Sequence, residues 1–276
     1  MNNLNQFQIV ILGSSKLKTA TVNKLICQDE KENKYEIAEI QTWISNKENL
    51  LKLKLDSTST LETLIISVRP DLNQFIPARE NIHFFENQKA IDYLQLKNIY
   101  TGFGADRLAA LLGGISIYPN NSFAIIDLGT CNTFSVLRFD EHSQSYELKN
   151  SGIAPGITTS LLSLHEKTAS LPLLTKDDFQ NYCAELNLNK TPNSTRDSIC
   201  EGVLIQTIGF IEKIEKLLFQ MNSNKSQLII TGGWSEVIGR ILQNQNKSQN
   251  NIFTNFLVEP NLCFFGAIKY LNYCKS

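Results

Sequence analysis

Two segments of this chain share one pattern, and that pattern limits the folds open to it. Residues 124–136 read AIIDLGTCNTFSV, which is an apolar run, a short polar turn and a second run of alternating polar and apolar residues. Residues 8–20, QIVILGSSKLKTA, follow the same order. Such runs around a glycine-containing turn are typical of a β-hairpin. We therefore expect two similar hairpins, one opening each half of a duplicated fold.

The turn of the later hairpin carries groups that suit a nucleotide phosphate. Gly129 lets a phosphate approach the backbone, Thr130 can donate its hydroxyl group, and Asp127 can hold the accompanying cation. An aspartate in an apolar strand is costly to bury unless it is paired or coordinates a cation, which favours the functional interpretation. The pair of hairpins predicts a nucleotide in a cleft between the two halves.

The turn of the earlier hairpin lacks the carboxylate. When Gly13 is aligned with Gly129, Ile11 falls where Asp127 stands. An ordinary hairpin turn with a solvated lysine is therefore the alternative to a phosphate site here. The candidate phosphate-binding residues of this turn are Gly13, Ser14, Ser15 and Lys18.

The bulk composition narrows the function classes. A net charge of −1 gives no field that would attract nucleic acid or a membrane surface. No apolar run approaches the roughly 20 residues that span a bilayer, and the first residues lack the features of a secretion signal. We expect a cytoplasmic protein. Its six cysteines show no C-x-x-C pair and no zinc spacing, so free thiols are expected. The absence of G-x-G-x-x-G argues against a dinucleotide-binding oxidoreductase.

Periodicity elsewhere indicates strands first and helices later in each half, which is the order of an α/β protein. The alternation at 51–55 favours a half-exposed strand, although leucine and lysine are also good helix formers. The Asn/Gln-rich stretch 243–251 is typical of a solvated loop, and the turn-rich stretch 116–122 marks a boundary between domains 1–117 and 118–276. The other predicted strands are 35–41, 63–68, 81–85 and 228–230. The predicted helices are 107–112 with Gly113-Gly114 as its C-terminal cap, 158–170, 199–220 and 265–272.

Five motifs in this order resemble those of the type III pantothenate kinases, members of the acetate/sugar kinase–Hsp70–actin superfamily. The motifs are GADR at 104–107, IDLGT at 126–130, GIAPG at 152–156 with LP at 171–172, TRDSICEG at 195–202 and TGG at 231–233. The likeness runs through most of the chain. It departs from the family at the first phosphate motif, D-x-G-N-[ST]-x-x-K, where Ile11 replaces the aspartate and Ser14 the asparagine.

The resemblance implies a fold, a reaction and its cofactors. The fold is a pair of actin-like (ribonuclease H-like) domains, each a mixed sheet flanked by helices, in a homodimer with pantothenate near the dimer seam. The reaction is transfer of the γ-phosphoryl group of ATP to the primary hydroxyl group of pantothenate, which gives 4′-phosphopantothenate, the first step toward coenzyme A. Mg²⁺ and a monovalent cation, K⁺ or NH₄⁺, are the implied ions.

The resemblance also implies roles for individual residues. Asp106 is the candidate general base, since a carboxylate can orient the hydroxyl group and take its proton; the alternative is an aspartate that caps a helix starting at Arg107. Arg107 is the candidate ligand of the pantothenate carboxylate, and a solvated arginine is the alternative. Asp127 is the candidate metal ligand. The other substrate-side candidates are Tyr100, Gly104, Ala105 and Thr195, and those on the nucleotide side are Thr130, Gly232 and Gly233.

Several of these candidates have structural alternatives. Tyr100 could be a packing aromatic, Thr195 a helix N-cap, and the Gly232-Gly233 pair a tight turn between strand and helix. The missing carboxylate at Ile11 leaves three possibilities: Asp127 holds the metal alone, another carboxylate substitutes, or the chain is a weak enzyme. The alternative function is therefore that of a catalytically weak or inactive family member that binds a metabolite or regulates a partner.

Overall fold

A computed structural model of the chain describes residues 6–25, 34–53, 55, 61–185, 191–220, 226–248 and 256–275. The elements of the first part are β1 (Gln6–Leu12), β2 (Lys16–Leu25), β3 (Lys34–Ile44), α1 (Lys47–Lys52), β4 (Glu62–Ser67), α2 (Pro70–Asn73), β5 (Ile82–Phe84), α3 (Asn87–Leu94) and α4 (Ala105–Ile117). Those of the second part are β6 (Phe123–Leu128), β7 (Cys131–Asp140), β8 (Ser145–Pro155), α5 (Ile157–Glu166), α6 (Lys176–Ala184), α7 (Thr195–Phe219), β9 (Gln227–Thr231), α8 (Ser235–Ser248), β10 (Phe256–Val258) and α9 (Leu262–Lys275).

The described strands form two five-stranded sheets of the same topology. Their orders are β3-β2-β1-β4-β5 and, read from the corresponding edge, β8-β7-β6-β9-β10. In each sheet the central strand pairs antiparallel with the strand that follows it and parallel with a later one. Both predicted hairpins are therefore confirmed, β1–β2 and β6–β7. So is the duplicated α/β architecture of two mixed sheets flanked by helices.

Two compact units contain these sheets. The first comprises residues 1–119 together with 262–276, and the second comprises residues 120–261. The predicted boundary between domains 1–117 and 118–276 stays a prediction. Within the described residues, no helix combines the length and the apolar character that crossing a lipid bilayer requires.

The first unit buries both faces of its sheet. On one face, Val10 and Leu12 of β1 belong to an apolar cluster with Leu50 of α1. Toward the other side, α4 and α9 contact β4 and pack on each other. These two helices cross closely at Gly266 of α9, where an added Cβ would collide with the backbone of Ala109 in α4. The backbones therefore touch where a side chain would keep them apart.

The second unit has one large apolar core on the side of its sheet that α5, α7 and α8 cover. Alternate residues of β6 point into this core, which leaves Asp127 out of it: Ala124, Ile126 and Leu128 are all buried there. Helix α7 supplies the longest apolar face, from Ile199 to Leu218, as its periodicity predicts.

Of the two alternatives for the start of the stretch 51–55, the structure has the helix: α1 runs through Lys52, because Asn46 caps it by accepting a hydrogen bond from the Asn49 amide (2.8 Å) and Leu50 is buried. Two local expectations were wrong. Helix α4 does not end at Gly113-Gly114, since Gly113 packs against the backbone of Leu262 and the helix continues to Ile117. These are cases in which tertiary packing overrides local propensity.

The second error concerns the stretch 243–251, where a loop was expected. Helix α8 continues through Ser248 because Ile238, Ile241 and Leu242 bury one face of it at helical spacing. Residues 249–251 lie outside the described residues, as does Cys27. The other five cysteines are free thiols, as expected.

Candidate functional site

The second unit brings Asp127, Gly129 and Gly232 together at the carboxyl ends of β6 and β9. Gly232 has φ +93°, and a Cβ there would collide with Asp127 Oδ1 and lie 2.7 Å from Leu128 N. A Cβ on Gly129 would lie 3.3 Å from the same carboxylate oxygen. The carboxylate of Asp127 thus packs closely against two glycines, and a side chain at Gly232 would collide with it and with the backbone of Leu128. We call these three residues the glycine cradle.

The turn beside the glycine cradle is held by α5. The carbonyl oxygen of Thr130 accepts hydrogen bonds from the Gly156 amide (3.1 Å) and from the Thr159 hydroxyl group (2.6 Å). A Cβ on Gly156 would lie 2.5 Å from that oxygen, so no larger residue fits there. Sequence reasoning placed Gly156 in a motif but gave it no role, and it missed Thr159.

The loop after β9 is held to the end of β6 and to the glycine cradle by two hydrogen bonds. The Trp234 amide donates to the Leu128 carbonyl oxygen (3.1 Å), and the hydroxyl group of buried Ser235 donates to the Gly232 carbonyl oxygen (2.7 Å). A Cβ on Gly233 would meet open space, so this residue leaves room beside the loop. Thr133 lies directly opposite Asp127 in the β6–β7 ladder, which places both side chains on one face of the sheet.

The corresponding turn of the first unit has exposed serines and a buried isoleucine. Ser14 and Ser15 are exposed, and the Gly13 amide closes the turn on the Lys16 carbonyl oxygen (2.9 Å). Ile11 is 7% exposed and lies opposite Lys18 in the ladder, so the two side chains share a face. The structure therefore keeps the hairpin turn at this position and places a buried apolar side chain at residue 11.

Asp106 lies in the first turn of α4, whose N-cap is Gly104. The helix begins at Ala105, so an aspartate capping a helix that starts at Arg107 is not what the structure shows. The Asp106 carboxylate accepts a hydrogen bond from the Arg107 amide (2.8 Å), and a Cβ on Gly104 would lie 2.6 Å from Asp106 Oδ1. Burial raises the pKa of Asp106, and the hydrogen bond from the Arg107 amide opposes part of that rise.

Arg107 is held in place by two aromatic residues. Its guanidinium group donates to the Tyr100 hydroxyl oxygen (2.9 Å) and lies 4.2 Å from the centre of the Phe103 ring. Asn87 donates to the Phe103 carbonyl oxygen (2.8 Å) and so fixes the loop that carries this ring. Arg107 is 8% exposed and Tyr100 49%, so the tyrosine is a polar, accessible neighbour of a buried guanidinium group.

Thr195 is the first residue of α7, and Ser194 is the N-cap, accepting from the Asp197 amide (3.0 Å). The N-cap alternative for Thr195 is therefore wrong. Thr195 lines an open groove of about 430 Å³ between α5 and α7. The other lining residues are Leu164, Leu171, Ser198, Ile199, Gly202, Val203 and Gln206.

Within the described residues, no group of three or more histidine, cysteine, aspartate or glutamate side chains could enclose a metal ion. The glycine cradle still fits Mg²⁺, because that ion typically takes one or two carboxylates and completes its shell with substrate phosphates and water. Asp127 supplies one carboxylate at the end of β6.

Comparisons with known proteins point to one family and one fold. A family model described as type III pantothenate kinase matches residues 10–216. A type III pantothenate kinase of Flavobacterium johnsoniae is 31% identical over 183 residues, 65% of this chain and 66% of the relative. One of Porphyromonas gingivalis is 30% identical over 171 residues, 62% of this chain and 61% of the relative. The match thus spans less than two thirds of the length of either relative.

The fold is shared with more distant solved structures. The structure of MreB5 of Spiroplasma citri bound to ADP has a TM-score of 0.51 and 13% sequence identity, and the match covers 99% of this chain and 98% of that one. At this identity the likeness concerns the fold alone, and it identifies the two units as actin-like.

Proposed function

Because this chain belongs to the family of type III pantothenate kinases, we propose that it transfers the γ-phosphoryl group of ATP to the primary hydroxyl group of pantothenate. The observation that carries the proposal is the Asp106 carboxylate, which faces Gly104 at the start of α4 and whose pKa burial raises. A carboxylate with a raised pKa is a stronger proton acceptor than an exposed one.

In the proposed reaction the pantothenate hydroxyl oxygen forms a bond to the γ-phosphorus while the bond from that phosphorus to the bridging oxygen of ADP breaks. Asp106 orients the hydroxyl group and takes its proton. Arg107, held by Tyr100 and Phe103, pairs with the carboxylate of pantothenate. Phosphoryl transfer depends mainly on such positioning and on compensation of the phosphate charge.

We propose that the nucleotide phosphates lie at the turn Gly129–Thr130 and that Asp127 holds Mg²⁺ there. The support is the glycine cradle, in which any side chain at Gly232 would displace the carboxylate. Bound there, Mg²⁺ would compensate phosphate charge. Gly13, Ser14, Ser15 and Lys18 are proposed to contact the phosphates from the first turn, and Gly233 the adenosine.

The test is to identify the product formed from ATP and pantothenate in the presence of Mg²⁺ and K⁺, by mass spectrometry. We expect 4′-phosphopantothenate and ADP in equal amounts. The second candidate, a protein that binds these metabolites without turnover, is favoured by the buried Ile11. Binding of both ligands by calorimetry without product would support it and would refute the kinase proposal.

We expect Asp127→Asn to lower kcat at least about 100-fold, because an amide oxygen holds a divalent cation more weakly than a carboxylate does. The Mg²⁺ concentration that gives half-maximal rate should rise as well. The measurement is the initial rate against Mg²⁺ concentration. Asp177→Asn is the matched control, since Asp177 is an exposed aspartate in the first turn of α6. An unchanged Mg²⁺ dependence in Asp127→Asn would contradict the assignment.

We also propose that the chain forms a homodimer through the groove between α5 and α7. The support is that the segments that contribute to the groove also expose large apolar side chains: Ile205 on α7 is 60% exposed and Leu173, in the segment after α5, is 51% exposed. We expect Ile205→Glu to shift the mass measured by light scattering from the dimer to a monomer of 31.2 kDa. Lys213→Glu, an exposed change on the same helix, should leave the dimer intact. A wild-type monomer would overturn this proposal.

The cytoplasmic location stays a prediction.

A further inference from the structure

The side chain of Arg69, just after β4, is bound to the first phosphate turn. Its Nη1 donates to the carbonyl oxygens of Ser14 (3.1 Å) and Ser45 (3.0 Å). Its Nε and Nη2 donate to the two carboxylate oxygens of Asp71, at 2.8 and 2.6 Å. A single guanidinium group therefore joins three segments: the β1–β2 turn, the β3–α1 junction and the start of α2.

These contacts fix the direction of two consecutive peptide units. The Ser14 carbonyl group points to Arg69, and the Ser15 carbonyl oxygen accepts from the Ser45 amide (3.0 Å). In a planar trans peptide the N–H points opposite to the C=O, so the N–H groups of Ser15 and Lys16 face away from Arg69 and Ser45. Successive backbone N–H groups turned to one side form a concavity that binds anions.

The second unit fixes its own phosphate turn in a comparable way. There the Thr130 carbonyl oxygen accepts one backbone donor, Gly156, and one side-chain donor, the Thr159 hydroxyl group. In the first unit the two donors bind neighbouring carbonyl oxygens: the Ser45 amide binds that of Ser15, and the Arg69 side chain binds that of Ser14. Both turns thus have carbonyl groups drawn to the strand–helix junction behind them. Arg69 takes the place of the hydroxyl group as the side-chain donor.

The first turn has no carboxylate at position 11, so its backbone geometry matters more for binding a phosphate. A carboxylate at position 11 would need a cation between itself and a phosphate, as in the family motif. The buried Ile11 can hold no cation, so the attraction of this turn for a phosphate must come from its amide groups and from Lys18. Amide groups bind an anion only when they are aimed at it, which requires a fixed turn.

We propose that Arg69 is a positioning residue for the nucleotide: it holds the Gly13–Lys16 turn so that its amide groups receive the phosphates without a carboxylate-bound metal at that turn. The proposal rests on the proposed function only in that the chain binds ATP. It concerns the affinity for the nucleotide and leaves the identity of the acceptor open.

The test measures binding of a non-hydrolysable ATP analogue by calorimetry, with Arg69→Gln, Arg69→Lys and the control Arg79→Gln. Arg79 is an exposed arginine of the same unit. We expect Arg69→Gln to weaken binding about 10-fold, the scale of lost charge-assisted hydrogen bonds. Arg69→Lys should recover part of that loss, because an ammonium group can donate to one of the two carbonyl oxygens but cannot also form a bidentate pair with Asp71.

The variants and the wild-type chain together separate the possible outcomes. The KM for the acceptor and the melting temperature should stay near the wild-type values in Arg69→Lys, since a purely structural defect would move both. Analogue binding within twofold of wild type in Arg69→Gln, with the protein folded, overturns the proposal, and so does a wild-type chain that binds no nucleotide. A wild-type chain that binds ATP but does not phosphorylate pantothenate refutes the proposed function. The loss of nucleotide affinity in Arg69→Gln is then still expected.

Discussion

The variant Asp106→Asn should lose at least about 1000-fold in kcat while it folds normally. An amide cannot take the proton of the attacking hydroxyl group, and general-base catalysis contributes about 100- to 10,000-fold. The shape of the side chain is kept, and the asparagine oxygen can still accept the hydrogen bond of the Arg107 amide. The measurement is the steady-state rate of ADP formation at saturating ATP and pantothenate. Asp92→Asn, an exposed change in α3 of the same unit, should leave the rate unchanged.

The pKa of Asp106 gives this prediction a second readout. Because burial raises that pKa, the acid limb of kcat/KM should lie at a higher pH than an ordinary aspartate would give. The same shift means that the folded state binds the proton more tightly than the unfolded chain does, so ionisation of Asp106 costs stability as the pH rises above its unfolded-state value. Asp106→Asn should therefore melt at the wild-type temperature or higher near neutral pH.

Two results would contradict the assignment of Asp106 as the general base. A variant that keeps a near-wild-type rate excludes the carboxylate as the base. A variant that loses activity together with its melting transition indicates a structural role at the start of α4, which is the reverse of the stability change that the raised pKa predicts.

The variant Gly266→Ala should destabilise the first unit by about 3 kcal/mol or more. A Cβ at this position of α9 would collide with the Ala109 carbonyl group and lie 2.9 Å from Gly113 N, and all of these are backbone atoms. Backbone cannot rotate away as a long side chain can, so the two helices would have to separate. Chemical denaturation followed by circular dichroism measures the change.

A control of opposite sign is available in α7. Gly209 is an exposed helical glycine at which a Cβ would meet nothing within 4 Å. Gly209→Ala should therefore stabilise the protein by about 0.5–1 kcal/mol through lower entropy of the unfolded chain and better helix propensity. Similar small effects in both variants would show that the α4–α9 crossing is looser than its geometry indicates.

Local sequence patterns predicted much of this protein. The two hairpins were predictable because apolar alternation and a glycine turn both act within about a dozen residues. Helix α7 was predictable because its apolar positions recur every three or four residues. The family followed from short motifs read in order, and it is confirmed by the match over residues 10–216. The roles proposed for Asp106, Arg107 and Asp127 stay predictions, although the structure gives each a defined environment.

Only the tertiary structure decided what lies beside these motifs. Helix α4 continues through Gly113-Gly114 because α9, about 150 residues away in sequence, packs there with no room for side chains. Arg69 reaches Ser14 across 55 residues. Such contacts produce no periodic pattern in the sequence. A local pattern indicates which residues are buried, but it does not indicate which distant part of the backbone they contact. The sequence therefore determined the two hairpins, helix α7 and the family, while the geometry of each hairpin turn depended on long-range packing.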